Sequence, residues 1–171
     1  VLLYFALTGS PATQISLLGG WGVLVFDPLS TLMSVVISGI SLIVHVYSIR
    51  YMADEEGYGR FYVLLGLMTS SLLLMVAAGD LLTLLIAWHL IGILLYLLLV
   101  HNTEDLPAQR YGVWTLLTYR LGDLPLVLAA LVLYEAYGTW SLDILFERIS
   151  SNPQMVTFGG YSAVEVAGYL I

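Results

Sequence analysis

The stretch Leu81-Leu82-Thr83-Leu84-Leu85-Ile86-Ala87-Trp88-His89-Leu90-Ile91-Gly92-Ile93-Leu94-Leu95-Tyr96-Leu97-Leu98-Leu99-Val100 carries no formal charge from end to end. A helix that crosses hydrocarbon needs roughly 20 predominantly apolar residues, since each advances about 1.5 Å through a layer about 30 Å thick. Residues 81–100 meet that length in one unbroken run and predict a membrane-spanning helix. A transmembrane strand would alternate apolar and polar positions over about ten residues, and this run does not alternate. Working outward, runs of the same kind occupy residues 29–51, 61–78 and 111–137. Of the 171 residues, 60% are hydrophobic and only 10% charged, with a mean hydropathy of +0.93. A water-soluble domain of this length needs far more polar surface. In lipid the apolar side chains face the solvent, and backbone groups are satisfied inside helices. The sequence therefore predicts an all-α integral membrane protein, a multi-helix transmembrane bundle.

The breaks between the runs set its organisation. Asp27-Pro28 precedes the first full span as a helix-start signature, with an acid near the first free amides and proline at an opening position. Gly79-Asp80 leaves so little chain between residues 61–78 and 81–100 that these two helices must form a tight hairpin. His101-Asn102-Thr103-Glu104-Asp105 and Pro107 interrupt the chain again, and Gly138 ends the fourth span. Residues 1–8 and 161–171 predict partial helices, the first followed by a loop through Gly9-Ser10-Pro11 and Gly19-Gly20. Residues 140–149 present a helical apolar face suited to the membrane interface. The expectation is a single transmembrane domain over 1–171, truncated at both ends.

Charge and composition exclude several classes. There are no cysteines, so disulfides, thiolate metal sites and thiol nucleophiles are absent. The formal net charge of −7 lacks the basic face that nucleic-acid binding requires. Most acids fall in short connections and read as solvated loop ends. All five basic residues are arginines. Arg50, Arg60 and Arg110 lie at one end of the predicted spans and Arg148 at the other, so the positive-inside rule puts loops 51–60 and 101–110 in the cytoplasm.

A charge deep in a membrane span is expensive and asks for a reason. Arg120 and Asp123 qualify, and three residues apart they share a helix face and can pair. They form either a self-neutralising structural salt bridge or part of a hydrophilic axis along which ions or protons pass. Pro125 favours the axis, because it leaves a carbonyl one turn earlier without its helical donor. His89, near the middle of its span, is either a proton relay or a neutral imidazole bonded between helices. His45, in His45-Val46-Tyr47-Ser48, belongs to a water-filled entrance or to an interface belt with Tyr51, whereas His101 is a solvated loop residue. No phosphate loop, nucleophile elbow or metal-spaced histidine pair is present, and nothing points to catalysis by this chain alone. Trp21, Trp88, Trp114, Trp140 and the tyrosines read as interface anchors and packing.

Several local strings are more specific. Phe26-Asp27-Pro28-Leu29-Ser30, His45-Val46-Tyr47-Ser48-Ile49-Arg50-Tyr51-Met52, Glu55-Glu56-Gly57-Tyr58-Gly59-Arg60-Phe61 and Gly79-Asp80-Leu81-Leu82 resemble the antiporter-like subunits of respiratory complex I and of Mrp-type sodium/proton antiporters, above all the L-type subunit of complex I. Thr118-Tyr119-Arg120-Leu121-Gly122-Asp123 resembles that family's Arg-x-Gly-Asp segment. The resemblance covers most of residues 24–148. It implies paired five-helix bundles with broken helices and a central axis of ionisable residues, and it makes Arg120–Asp123 the charged element on the helix before the first broken one. The family's lysine on that broken helix would lie beyond Ile171.

One departure stands out. The family segment matching Ala87-Trp88-His89 carries a glutamate after the tryptophan, and that glutamate pairs with the lysine. A histidine cation would repel a lysine, and a neutral histidine would stabilise it less. A second branch fits this departure: the membrane subunit of DAB-type complexes that accumulate inorganic carbon, whose large cytoplasmic partner is zinc-containing and carbonic-anhydrase-like. The main expectation is a proton- or sodium-translocating subunit of a respiratory or Mrp-like complex in a bacterial inner membrane. Its ion pathway includes Asp123, Arg120, His89 and His45, it holds no cofactor of its own, and its partners are other subunits and the bilayer. The alternatives are the carbon-accumulating subunit, with zinc in the partner, and a passive scaffold whose polar residues only tie helices together.

Overall fold

The computed structural model describes residues 13–17, 22–53, 57–101, 106–153, 157–158 and 160–171; the predicted partial helix over residues 1–8 lies outside them. The first described element is not a plain loop. Strand β1 (Thr13–Leu17) pairs antiparallel with β2 (Gly22–Phe26), placing Ile15 opposite Leu24 and Gln14 opposite Val25. Gly22-Val23-Leu24-Val25-Phe26 is too short to span, and β-branched residues in so short an apolar run favour a strand.

Four long helices follow. Helix α1 (Pro28–Tyr51) opens with a capping box. The Ser30 amide donates to Asp27 Oδ1 at 2.6 Å, and the Asp27 amide donates to Ser30 Oγ at 2.9 Å. The Ser30 amide and hydroxyl together hold the Asp27 carboxyl below its ordinary pKa. Helix α2 (Tyr58–Val76) starts after Gly57, whose φ of 89° places it in the left-handed region that glycine adopts without strain. Helix α3 (Leu81–Leu99) starts at Asp80, and α4 (Leu106–Tyr137) is the longest, with Pro125 inside it. All four are long and apolar enough to cross a membrane. Each packs on the next in chain order, α1 on α2, α2 on α3 and α3 on α4. Short helices α5 (Leu142–Ser151) and α6 (Ala163–Leu170) complete the chain, with a two-residue pairing of β3 (Thr157–Phe158) and β4 (Tyr161–Ser162) before α6. Helix α6 packs on α4, and Ala136, Tyr137, Leu145 and Ala163 form a small buried cluster where α4, α5 and α6 meet.

The ends of the bundle are built differently. Arg50, Arg60 and Arg110 gather at the end holding the α1–α2 and α3–α4 connections. At the opposite end β2, the α2–α3 turn and the α4–α5 connection are stitched together. The Val25 amide donates to the Ala77 carbonyl at 2.8 Å, and the Gly79 amide donates to the Val23 carbonyl at 2.7 Å. The Leu81 amide donates to the Trp140 carbonyl at 2.9 Å, and the Leu142 amide donates to the Gly79 carbonyl at 3.1 Å. Gly79 permits this approach, because a Cβ there would collide with the Val25 side chain. Asp80 lies inside the junction, only 4% exposed, and is not the solvated loop acid that the sequence suggests. Its carboxylate accepts from the Val23 amide, the Thr83 amide and the Thr83 hydroxyl at 2.7, 2.7 and 2.8 Å. Arg148 works at the same end, donating to the Tyr137 carbonyl.

Candidate functional site

The site forms where α3 crosses α4. Helical spacing puts Trp88, Gly92 and Leu95 on one face of α3, and Tyr119, Asp123 and Leu126 on one face of α4. Asp123 is 7% exposed, and each of its oxygens has a donor. Trp88 Nε1 donates to Oδ1 at 2.7 Å, and Arg120 Nη1 donates to Oδ2 at 3.2 Å. The second guanidinium arm, Nη2, donates to the His89 carbonyl at 3.0 Å. That arm passes close to Gly92, where a Cβ would lie 3.7 Å from Nη2, an ordinary contact distance. Arg120 thus joins the carboxylate of its own helix to the backbone of α3. The pair is neutral overall, and its charges are solvated by protein donors and acceptors, which is how an ion pair is tolerated at this depth.

His89 enters through its backbone. Its ring Nδ1 lies 2.8 Å from the Leu85 carbonyl. A carbonyl only accepts, so in this contact Nδ1 is the donor. Arg120, Asp123 and His89 are therefore brought together, with His89 contributing its carbonyl to the guanidinium.

His45 belongs to a separate polar cluster between α1 and α2. Its Nδ1 lies 2.7 Å from the Ser41 carbonyl and 3.2 Å from Ser41 Oγ. Ser41 Oγ in turn meets Thr69 Oγ1 at 2.7 Å, and the Tyr62 hydroxyl donates to the His45 carbonyl at 3.0 Å. The hydroxyls that accompany His45 thus come from Ser41 and α2 rather than from Tyr47 and Ser48 beside it in the sequence.

Two cavities flank Asp123. One, of about 230 Å³, is bounded by Leu72, Gly92, Leu95 and Tyr119. The other, a half-open groove of about 530 Å³, is bounded by Leu84, Gly122, Pro125, Leu126 and the last two residues, Leu170 and Ile171. Both also touch Met75, Trp88 and Asp123. A third, of about 190 Å³, lies between α1 and α2 against Ser41 and Thr69, and shares Leu72 with the first.

Sequence reasoning missed Trp88 as a site residue. The available signal was that an indole N–H inside a span must find an acceptor. With Asp123 one helix away, the acceptor was in reach.

A membrane helix bundle with a guanidinium and a carboxylate paired on one span, both bonded to the neighbouring span, has the makings of an antiporter-like membrane protein. Residues 78–167 match the family described as NADH:quinone oxidoreductase/Mrp antiporter, TM, and residues 22–62 match NADH-ubiquinone oxidoreductase (complex I), chain 5 N-terminus. The chain belongs to the NADH:quinone oxidoreductase/Mrp antiporter family. It is 58% identical over 167 residues to the "probable inorganic carbon transporter subunit DabB1" of Halothiobacillus neapolitanus, covering 98% of this chain and 30% of that protein. It is 37% identical over 123 residues to NAD(P)H-quinone oxidoreductase chain 5 of a Picosynechococcus species, covering 72% of this chain and 18% of that one. A chain of the Mrp complex from a Dietzia species superposes with a TM-score of 0.77 at 27% identity, over 99% of this chain and 18% of that chain. The chain spans less than a third of the length of these relatives.

Proposed function

We propose that this chain supplies part of the ion pathway of a multi-subunit membrane energy-coupling complex, moving protons or sodium ions. The observation that carries the reading is Asp123, a buried carboxylate in a membrane span held by Arg120 and Trp88 between two cavities. A structural salt bridge alone does not call for flanking space on both sides. In this reading Asp123 offers a negative site that a passing proton or cation occupies in turn with Arg120, and His89 and His45 serve the approaches. Asp123→Asn keeps the shape and removes the charge. In the full-length protein within its complex it lowers ion-dependent activity by at least about tenfold, the equivalent of one lost charge-assisted interaction. Wild-type activity in Asp123→Asn, and in a double variant that also carries Arg120→Met, would leave only the scaffold reading.

Within that function, the 58% identity to a probable inorganic carbon transporter subunit across nearly the whole chain favours the carbon-accumulating branch over a quinone-reducing one. His89 favours it too, standing where the resembling complex I subunits carry glutamate. On this branch, in a bacterial inner membrane, the complex's other component is a large cytoplasmic zinc protein resembling carbonic anhydrase, and cation flow drives CO2 hydration there. Mass spectrometry and zinc analysis of the complex purified in mild detergent test it. A large zinc-bearing soluble subunit supports the branch, and quinone-reductase or Mrp-like membrane subunits without zinc would replace it with the respiratory or antiporter branch.

A further inference from the structure

Trp88 does two things at once. Its single polar atom, Nε1, is committed to Asp123 Oδ1 at 2.7 Å. Trp88 is 46% exposed and lines both the 230 Å³ and the 530 Å³ cavities, whose linings share Trp88, Asp123 and Met75. Arg120 sits on the same helix as Asp123, so among the described residues Trp88 supplies the carboxylate's one hydrogen bond from another helix. An amphipathic ring can turn off its acceptor at the loss of one hydrogen bond, and half of its surface is not packed in place.

We propose that Trp88 is a positioning residue that gates Asp123. While the indole N–H holds Oδ1, the carboxylate is oriented toward Arg120 and the ring closes the passage between the two cavities. When the ring swings away, Oδ1 is freed for an incoming proton or hydrated cation and the two spaces join. The gate opens at the moment the site becomes available, so an ion reaching Asp123 from one side is released to the other. This inference rests on the ion-translocation reading.

Two substitutions separate the lock from the partition. Trp88→Phe keeps an aromatic ring and removes the N–H. In the full-length protein in its complex, reconstituted into liposomes, it lowers driven ion flux by about tenfold or more and lets some passive leak through, because the ring is no longer held across the passage. It also displaces the infrared carboxylate band that Asp123→Asn abolishes, a change that lost packing alone would not produce. Trp88→Ala removes the ring as well and raises passive leak several-fold. If Trp88→Phe fails to assemble, replacing Trp88 by 3-benzothienylalanine, the same bicycle with sulfur for N–H, gives the same readouts. Wild-type flux and an unmoved carboxylate band in the variant lacking the N–H, alongside an inactive Asp123→Asn, would overturn the gate and leave the ion pathway standing. Wild-type flux in Asp123→Asn would overturn the pathway and the gate with it.

Discussion

At the scale of single residues, Asp80 and Asp123 show how surroundings assign a carboxylate its task. Both are almost fully buried, at 4% and 7% exposure. Asp80 accepts three short hydrogen bonds from neutral donors, two of them from Thr83, and touches neither of the Asp123 cavities. It is a fastener: it caps α3 and pins β2 to it. Asp123 has two donors, one of them a cation, and open space on either side. Asp80→Ala strands the Val23 amide and the Thr83 donors at a buried junction. A lost cap is worth about 1 kcal/mol and a stranded buried donor about 1–3 kcal/mol. The full-length protein in detergent is therefore expected to lose roughly 2–4 kcal/mol of stability, read as a lower thermal midpoint, while Asp80→Asn recovers part of it through its remaining carbonyl oxygen. Ion flux in the folded fraction stays near wild type. An Asp80→Ala protein as stable as wild type would show the junction to be incidental. The sequence placed Asp80 between two apolar runs but could not show that the strand ahead of α1 folds back onto it. The same tertiary crossing hid Trp88, whose residue type is equally at home at a membrane interface.

At the scale of elements, the four long helices were legible because length and unbroken apolarity decide them, with tertiary context adding little. Their ends were less so. Residues 111–137 predict the fourth span, yet α4 begins at Leu106, because Pro107 falls in the first turn, where its missing N–H has no helical partner to lose. The α2 start at Tyr58 rather than 61 has a similar origin in Gly57, whose left-handed turn is invisible to hydropathy. The sequence predicts a loop where β1 and β2 pair, since that pairing depends on partners and on the Ala77 carbonyl and Gly79 amide beside it. Helix α4 also shows why its glycines differ. A Cβ at Gly122 meets nothing, whereas one at Gly112 would run into Val100 and lie 3.4 Å from the Tyr96 ring. Gly112 thus sets how closely the start of α4 approaches the end of α3. Gly112→Leu forces the two helices apart and is expected to destabilise the bundle by about 1–3 kcal/mol, while Gly122→Ala leaves stability unchanged or slightly raised. Thermal unfolding of the two variants side by side measures the difference, and equal midpoints would show that the close approach is not needed.

At the scale of the whole molecule, the bundle presents lipid-compatible walls and two unlike ends. Only 11% of the most apolar part of α1 is buried within the chain, and Leu29, Ile40, Leu42, Ile43 and Val46 face outward; in water such a wall would aggregate, and in a bilayer it is simply solvated. The end holding Arg50, Arg60 and Arg110 is where α1 ends, α2 begins, α3 ends and α4 begins, and the opposite end carries the β1–β2 pair, the Asp80 junction and α5. The arginine bias predicts that the first end faces the cytoplasm, a placement that would also aim it at any soluble cytoplasmic component. The described chain has no cysteine, so single cysteines can test this directly in a full-length background cleared of others. Tyr58, at the start of α2, and Glu147, on α5, are both exposed and lie at opposite ends. In intact cells a membrane-impermeant maleimide is expected to label a cysteine replacing Glu147 and to reach one replacing Tyr58 only after the membrane is opened. The reverse pattern would invert the topology, place the arginine end outside and remove the surface on which a cytoplasmic partner could dock. Labelling of both from outside would mean that the chain does not span as four successive helices, because residues 58 and 147 are separated by three crossings.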